Sequence, residues 1–512
     1  MSTVVKQANN DISRKYRGSK LREVKFLHCA DIHLDMPFTS LGIEDGKPSI
    51  RRMDLKDTFQ KIMNIAKEER VEILFICGDL YEHDYVRKST ISFINQAFLN
   101  ISDKKVFIIP GNHDPWVKGS YYMNYEWANN VYILNGENPY VHFEEEGISV
   151  YSSCVFFKNE PDAILKYGPD AFHKEPTGLL EGTNCDNTGI KPENMGTGYG
   201  KVKAGPNSLL INHDNINILL AHGTVDLDID GNSYNPMTSL ELAALGIDYV
   251  ALGHFHKRID NIGGKGIIYN PGSPEPLGFD EPGEHGVYIG TIVKKEVNSS
   301  NYSNHSDHLD HLNYLNRPVN LNCIGNLNNL NQLQYLNQPV NLNCQNHMNH
   351  LNKPVNFYNS GCSSYLNIEF KALNKRCYNE LMIDITGCDT DEKVTAKIMD
   401  GVKMLSSDLQ SNLSSLLLNV ILYGYIDPLY NNDMEYILSF FKDKVFYIKL
   451  RNEAVPEYDF DLIKEEPGLK GLFTRKVLDL IDKTQDDSEK ELLMKSLYYG
   501  IQALEKGQVD MI

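Results

Sequence analysis

Short apolar runs, each closed by a turn and a polar side chain, recur through the N-terminal part of the chain. Val24-Lys25-Phe26-Leu27-His28-Cys29-Ala30 predicts a strand that delivers Asp31-Ile32-His33 at its end. If the chain stays extended there, a two-residue step sends both polar side chains to one side. Glu72–Cys77 predicts a second strand, ending at Gly78-Asp79. Val106–Ile109, β-branched and aromatic, reads as a buried parallel strand. Pro110-Gly111 stops it and displays Asn112, His113 and Asp114 together. Between these strands, Leu55, Phe59, Ile62, Met63 and Ala66 follow helical spacing and predict a helix from Met53 to Arg70. A further helix is expected over Arg87–Asn100. This alternation of strand and helix argues for an α/β layered domain.

The pattern continues with a strand at Ile148–Val155, then an excursion over 158–214 rich in Gly, Asn and Pro. Asn217–Ala221 ends at His222-Gly223, and Asp248–Leu252 ends at Gly253-His254-Phe255-His256. Gly266–Tyr269 and Gly286–Val297 complete the strands of a first domain spanning 23–297. Residues 298–362 then break the pattern, with 19 Asn in 65 residues and a repeat of period 21: Tyr314–Cys323 recurs as Tyr335–Cys344. Such composition predicts a largely disordered, low-complexity insert. Regular structure is expected again in a small α+β capping domain (363–452) and a helical segment (453–512). In that segment Ser488 and Glu491 have capping-box spacing, and Leu493, Leu497, Ile501 and Leu504 line one face.

Composition adds limits. The polar stretch 1–22 lacks an apolar signal core and reads as a disordered tail. No run is long and apolar enough to span a membrane. Nine scattered cysteines, without a Cys-x-x-Cys pair, point to a reducing cytoplasmic setting. The net charge of −18 argues against unaided non-specific nucleic-acid binding. Bound metal ions or a basic partner subunit would lower that objection.

Asp31, His33, Asp79, Asn112, His113, His222, His254 and His256 therefore stand at the ends of five strands far apart in sequence. Singly, each has a dull reading: a Gly-Asp is usually a turn, and a His-x-His pair is usually surface. As a set they supply the carboxylate, amide and imidazole donors of a two-metal site, suited to Mn, Fe or Zn. Two divalent metals roughly 3.5–4 Å apart can clamp a phosphate and activate water for in-line attack.

The order Asp31-x-His33, Gly78-Asp79, Gly111-Asn112-His113-Asp114, His222, Gly253-His254-x-His256 resembles the calcineurin-like metallophosphoesterases. That resemblance implies a β-sandwich flanked by helices. It also implies one metal on Asp31, His33, Asp79 and His256, and another on Asp79, Asn112, His222 and His254. His113 would be the general acid, oriented by Asp114. Phe26–Phe38, Tyr269-Asn270-Pro271-Gly272-Ser273, Arg376-Cys377-Tyr378 and Pro456-Glu457-Tyr458-Asp459 resemble the DNA-repair exonucleases of the SbcD and YhaO type. Several of those nucleases place a histidine three residues after the bridging aspartate, where this chain has Glu82 followed by His83. The resemblance implies Mn2+, DNA as substrate, a coiled-coil ATPase partner and a possible homodimer. The chain has no phosphate-binding Gly-x-x-x-x-Gly-Lys-Ser/Thr loop of its own. A phosphatase or phosphodiesterase for a small-molecule or protein substrate is the alternative.

Overall fold

The structure is a computed structural model and describes residues 21–42, 46–153, 211–226, 234–295, 355–359 and 364–506. The expected tail up to Lys20, most of the 158–214 excursion and most of the Asn-rich insert lie outside the described residues. In chain order the elements begin with β1 (Leu21–Cys29), α1 (Lys47–Glu68), β2 (Ile73–Cys77), α2 (Lys88–Leu99) and β3 (Lys105–Ile109). There follow α3 (Tyr121–Asn124), β4 (Val131–Ile133), β5 (Tyr140–Phe143), β6 (Ile148–Ser152), β7 (Ile216–His222), α4 (Ser239–Ala244), β8 (Tyr249–Gly253), β9 (Ile268–Tyr269) and β10 (Gly286–Lys295).

Two sheets result. One has the order β11-β12-β10-β1-β2-β3-β4, where β11 is Val355–Asn359 and β12 is Ser364–Ala372; the other is β5-β6-β7-β8-β9. Period-two alternation sends Val24 and Phe26 of β1, Phe75 of β2 and Phe107 of β3 towards Ile218 and Leu220 of β7 and Tyr249 of β8. These side chains form the layer between the sheets. The opposite face of the larger sheet packs on α1 and α2 through Leu55, Phe59, Ile62, Ile91 and Ile94. The smaller sheet is covered by α4 through Leu242 and Leu245. The α/β fold is thus a mixed sandwich with helices outside, as the metallophosphoesterase resemblance implies.

The remaining chain forms β13 (Cys377–Asp384), α5 (Asp391–Asp408), β14 (Leu416–Tyr423), β15 (Tyr425–Ile426), α6 (Met434–Phe441), β16 (Tyr447–Asn452) and β17 (Val455–Pro456). The helices α7 (Phe460–Ile463), α8 (Leu469–Lys483) and α9 (Asp487–Lys506) close it. The three-stranded parallel sheet β13-β14-β16 is the centre of the cap, with α5 and α6 on one face.

Several boundaries differ from the sequence reading, each for a physical reason. The cap was expected to begin at 363, but β12 pairs antiparallel with β10 and extends the catalytic sheet. The cap therefore starts only after Ala372, at a hinge of residues 373–376. Within the expected insert, β11 pairs with β12. Helix α1 begins at Lys47, with Pro48 in its first turn, where the polar Lys47–Arg52 segment gives no apolar period to read. The cap of α9 is Asp486, whose Oδ1 accepts the amides of Ser488 (2.8 Å) and Glu489 (3.1 Å); Ser488 lies inside the helix.

Candidate metal centre

Strands β1, β2 and β3 of one sheet and β7 and β8 of the other end at the same edge of the sandwich. Two glycines let the strand ends touch. A Cβ on Gly111 would lie 2.2 Å from Asp79 Oδ1, and one on Gly78 would lie 2.1 Å from His222 Nδ1. Beyond the strands the backbone leaves the extended region: φ is 51° at Asp31, 50° at His33, 53° at Asp79 and 103° at His254. The extended Asp31–His33 step expected from the sequence is thus corrected. These residues hold left-handed conformations, costly for side chains with a Cβ and found where neighbours over-determine them. Here the Asp31 N–H donates to Gly78 O (3.1 Å) and the His33 N–H to Asp79 O (2.9 Å).

The side chains converge as the motif order implies. Asp31, His33, Asp79 and His222 are buried, Asn112, His254 and His256 half-buried, and His113 exposed at the mouth. Candidate ligand atoms of Asp31, His33 and His256 lie within 4.8 Å of one another, as do those of Asp31, Asp79 and His222, and of His33, Asp79 and His113. His33 Nε2 is 3.1 Å from His256 Nε2 and 3.7 Å from Asp79 Oδ2. His222 Nε2 is 3.2 Å from Asp79 Oδ2 and 3.0 Å from Asn112 Oδ1, which also lies 3.2 Å from His254 Nδ1.

The far side of three rings decides which atoms carry lone pairs. His222 Nδ1 faces the carbonyl of Cys77 at 2.8 Å, and His33 Nδ1 faces Glu82 Oε1 at 2.7 Å. His256 Nδ1 faces Glu281 Oε1 at 2.6 Å. Each partner is an acceptor, so each Nδ1 holds a proton and each ring turns its Nε2 inwards, where it can serve as a ligand atom once it is free of its own proton. With these rings neutral, lone pairs of imidazoles, carboxylates and an amide face one another at hydrogen-bond distance. Such a set calls for cationic charge between its members, and its mix of donors suits divalent transition metals.

The electrostatics show the same demand for positive charge, which protons on His222 and His256 meet when no metal is bound. Burial opposes charge on His222, but Asp79 beside it outweighs this and pushes the ring up to about 9. Burial is likewise outweighed at His256, which Glu281 lifts to about 9. Burial also disfavours the Asp79 carboxylate, yet His222, His33 and His113 hold it well below the usual range. Asp31 is pushed up to about 6 by burial. His254, buried and beside His222, is lowered to about 4 and stays neutral.

Two roles differ from those the resemblance implied. Asp114 does not touch His113. Its Oδ1 accepts from Gly111 N–H (2.6 Å) and Asp79 N–H (3.0 Å), and its Oδ2 from Leu80 N–H (2.7 Å) and Tyr122 O–H (2.6 Å). It braces the loops that present Asp79 and Asn112. The carboxylate on His113 is Glu82, whose Oε2 lies 3.0 Å from His113 Nδ1 while its Oε1 takes His33. Despite partial burial, these bonds from His113 and His33 hold Glu82 down at about 2. Nothing in the sequence marks Glu82 beyond its place three residues after Asp79, nor Glu281 beyond its place in the post-strand turn.

Residues 24–258, which hold the two-sheet sandwich and the donors at its edge, match the calcineurin-like phosphoesterase family. The match supports a metal-dependent phosphoester hydrolase. The chain is also similar to an uncharacterized metallophosphoesterase, YhaO, of Bacillus subtilis (strain 168): 26% identical over 284 residues, 54% of this chain and 60% of that relative. It therefore spans less than two thirds of that relative's length. No helix among the described residues is long and apolar enough to cross a membrane.

Proposed function

We propose that the protein is a two-metal, Mn2+-dependent phosphodiesterase that cuts the DNA backbone, as an exonuclease. The observation that carries the hydrolytic part is the inward-facing set of lone pairs on Asp31, His33, Asp79, Asn112, His222, His254 and His256. When bound there, divalent ions supply Lewis acidity and an activated water. The chain's own residues do the rest. Asp79 lies between the two donor groups. His113 stands at the mouth with Nδ1 held by Glu82, leaving Nε2 to give a proton to the departing 3′ oxygen.

Support for a polymeric substrate comes from the cap. On β13, β14 and β16 the row Tyr378-Leu417-Tyr447 packs towards the catalytic domain. The same face continues outward through Glu380-Asn419-Lys449 to Met382-Ile421-Arg451, where Lys449, Met382 and Arg451 are exposed. The exposed cations Lys449 and Arg451 suit a phosphate backbone, and the one exposed carboxylate of these two rows is Glu380. In this reading a coiled-coil ATPase supplies the ATP chemistry and a second copy of the chain completes the assembly.

The test is Mn2+-dependent degradation of an end-labelled duplex, beside hydrolysis of nitrophenyl mono- and diesters. His113→Ala is expected to lower kcat on DNA by ~10^2-fold or more while retaining Mn2+ uptake. It should matter far less for a diester that releases nitrophenolate, which needs no proton. A wild type that prefers the monoester and leaves DNA intact overturns the nuclease reading in favour of a phosphatase.

A further inference from the structure

Between β9 and β10 the chain from Pro271 to Leu277 runs buried without joining a helix or strand. Prolines at 271, 274 and 276 remove three backbone donors that burial would otherwise strand. One end of this loop grips His256. Ser273 N–H donates to His256 O (3.0 Å), and Asn270 Nδ2 donates to Phe255 O (2.7 Å) and Lys257 O (2.9 Å) on either side. Gly272, at φ 75°, lies so close that a Cβ would stand 2.3 Å from His256 O. Glu281 Oε1 holds the ring, and its Oε2 accepts from Leu277 N–H (2.9 Å) and Ser273 Oγ (3.2 Å).

The middle of the same loop grips the cap hinge. Glu275 is fully buried and accepts from Lys375 N–H (2.6 Å), Thr58 Oγ1 (2.8 Å) and Arg51 (3.3 Å). Arg51 also donates to Pro276 O (2.8 Å). From the hinge, Arg376 donates to Asp54 on α1 (2.8 Å) and to Ser414 O in the cap (2.8 Å), and its guanidinium lies 3.8 Å over the Phe446 ring. His285 ties the two ends again: its carbonyl accepts Leu373 N–H (2.7 Å), and its ring faces Ser273 O (2.9 Å) and Glu281 O (3.0 Å). Phe279 meets Tyr378 of β13 edge-on at 5.0 Å.

We propose that the segment Ser273–Glu281 couples the seating of the cap hinge to the hold on His256, making Arg376 a positioning residue for the metal centre. The inference rests on the two-metal reading above. Because one buried, proline-stiffened segment bonds both, the hinge and the ligand share their order. Coupling of this kind is reciprocal: a cap seated well raises metal affinity, and bound metal steadies the hinge.

Both directions are measurable on the metal-free full chain. In calorimetry with Mn2+ alone, Arg376→Met is expected to bind about tenfold more weakly than wild type, within the range for ligand-supporting partners. Lys393→Met, which removes an exposed pair to Asp389 within the cap, should bind as wild type does. In hydrogen exchange, Mn2+ should slow the amides of Leu373, Asn374 and Lys375 in wild type, and this protection should vanish in Glu281→Gln. Wild-type affinity in a folded Arg376→Met, or hinge exchange indifferent to bound Mn2+, overturns the coupling and leaves the metal centre standing. A wild type that takes up no Mn2+ overturns both.

Discussion

Around Asp54, two buried carboxylates, Asp54 and Glu275, face the cations of Arg51, Arg376 and Lys375, and every short contact pairs opposite charges. Around Asp79, the short contacts instead join carboxylates and ring nitrogens that become acceptor to acceptor once the rings are neutral, as in His33 Nε2 to His256 Nε2 at 3.1 Å. Both regions are buried and charged. The first is complete without any ligand, because its guanidiniums answer its carboxylates. The second is incomplete in its own atoms and needs added positive charge. Burial of charge alone therefore does not mark a functional site; the surplus of inward-facing acceptors does.

The comparison breaks most visibly at Asp79. Asp79→Asn removes the negative charge and one of the two acceptor oxygens between the donor groups and should lower phosphoester hydrolysis by at least ~10^3-fold, since the Lewis-acid contribution goes with the ion. Stability should respond differently. Wild type at a hundredfold excess of Mn2+ over Kd should gain ~2.7 kcal/mol, read as a rise in melting temperature, and the variant little or none. Equal Mn2+ stabilisation of both proteins would mean that Asp79 is no ligand.

At Arg51 the expectation is reversed. Arg51→Ala leaves Glu275 buried without a cation, while Asp54 keeps Arg376 and Lys375, and should cost ~3–5 kcal/mol of stability even without metal, measured by denaturant unfolding. A loss no greater than that of Asp79→Asn in metal-free buffer would erase the distinction between the two regions.

Glu82 sharpens the comparison because it belongs to both kinds. Its two oxygens accept from His33 and His113 and so fix the tautomer of each. In Glu82→Gln the amide oxygen can accept from only one ring, and the amide N–H2 turns the other to the wrong tautomer. Either Mn2+ affinity or kcat should fall by ~10–100-fold, the first by calorimetry and the second on an alkoxide-releasing diester. A variant unchanged in both would reduce Glu82 to a bystander.

Much of this was legible in the sequence because a buried parallel strand announces itself as an apolar run and its end as the next polar residue. Asp31, Asp79, Asn112, His222 and His254 were readable in that way. What was not legible is tertiary. Glu82 looks like any surface glutamate in a turn until His33 and His113 close on it from two other segments. Asp114 follows His113 in sequence, which suggests a pair, but its carboxylate turns back to the amides of Asp79 and Leu80. The strand β12 reads equally well as the start of the cap, since its pairing with β10 depends on a partner far away in sequence. Left-handed backbone at Asp31 and His33 leaves no mark in side-chain periodicity.

His28 gives the smallest effect and separates a buried histidine on β1 from the ligand histidine, His33, that follows the strand. Its Nδ1 lies 2.8 Å from Tyr249 Oη and its Nε2 2.9 Å from Leu252 O, so a hydroxyl and a carbonyl satisfy the neutral ring without a cation. Burial lowers its pKa from 6.5 to about 3. The folded state thus binds its proton more weakly than the unfolded chain does. The contribution to stability is full above pH 6.5 and is lost as pH falls towards 3, at up to about 1.4 kcal/mol per unit. Glutamine can accept from Tyr249 and donate to Leu252 but does not titrate. Between pH 7 and 5.5, wild type should therefore lose about 1 kcal/mol more than His28→Gln. That difference, followed by chemical denaturation in buffers free of divalent metal, should widen with acid. A difference that stays flat would mean that His28 is protonated in the folded protein, and that the interior between the sheets holds a charge without a counterion.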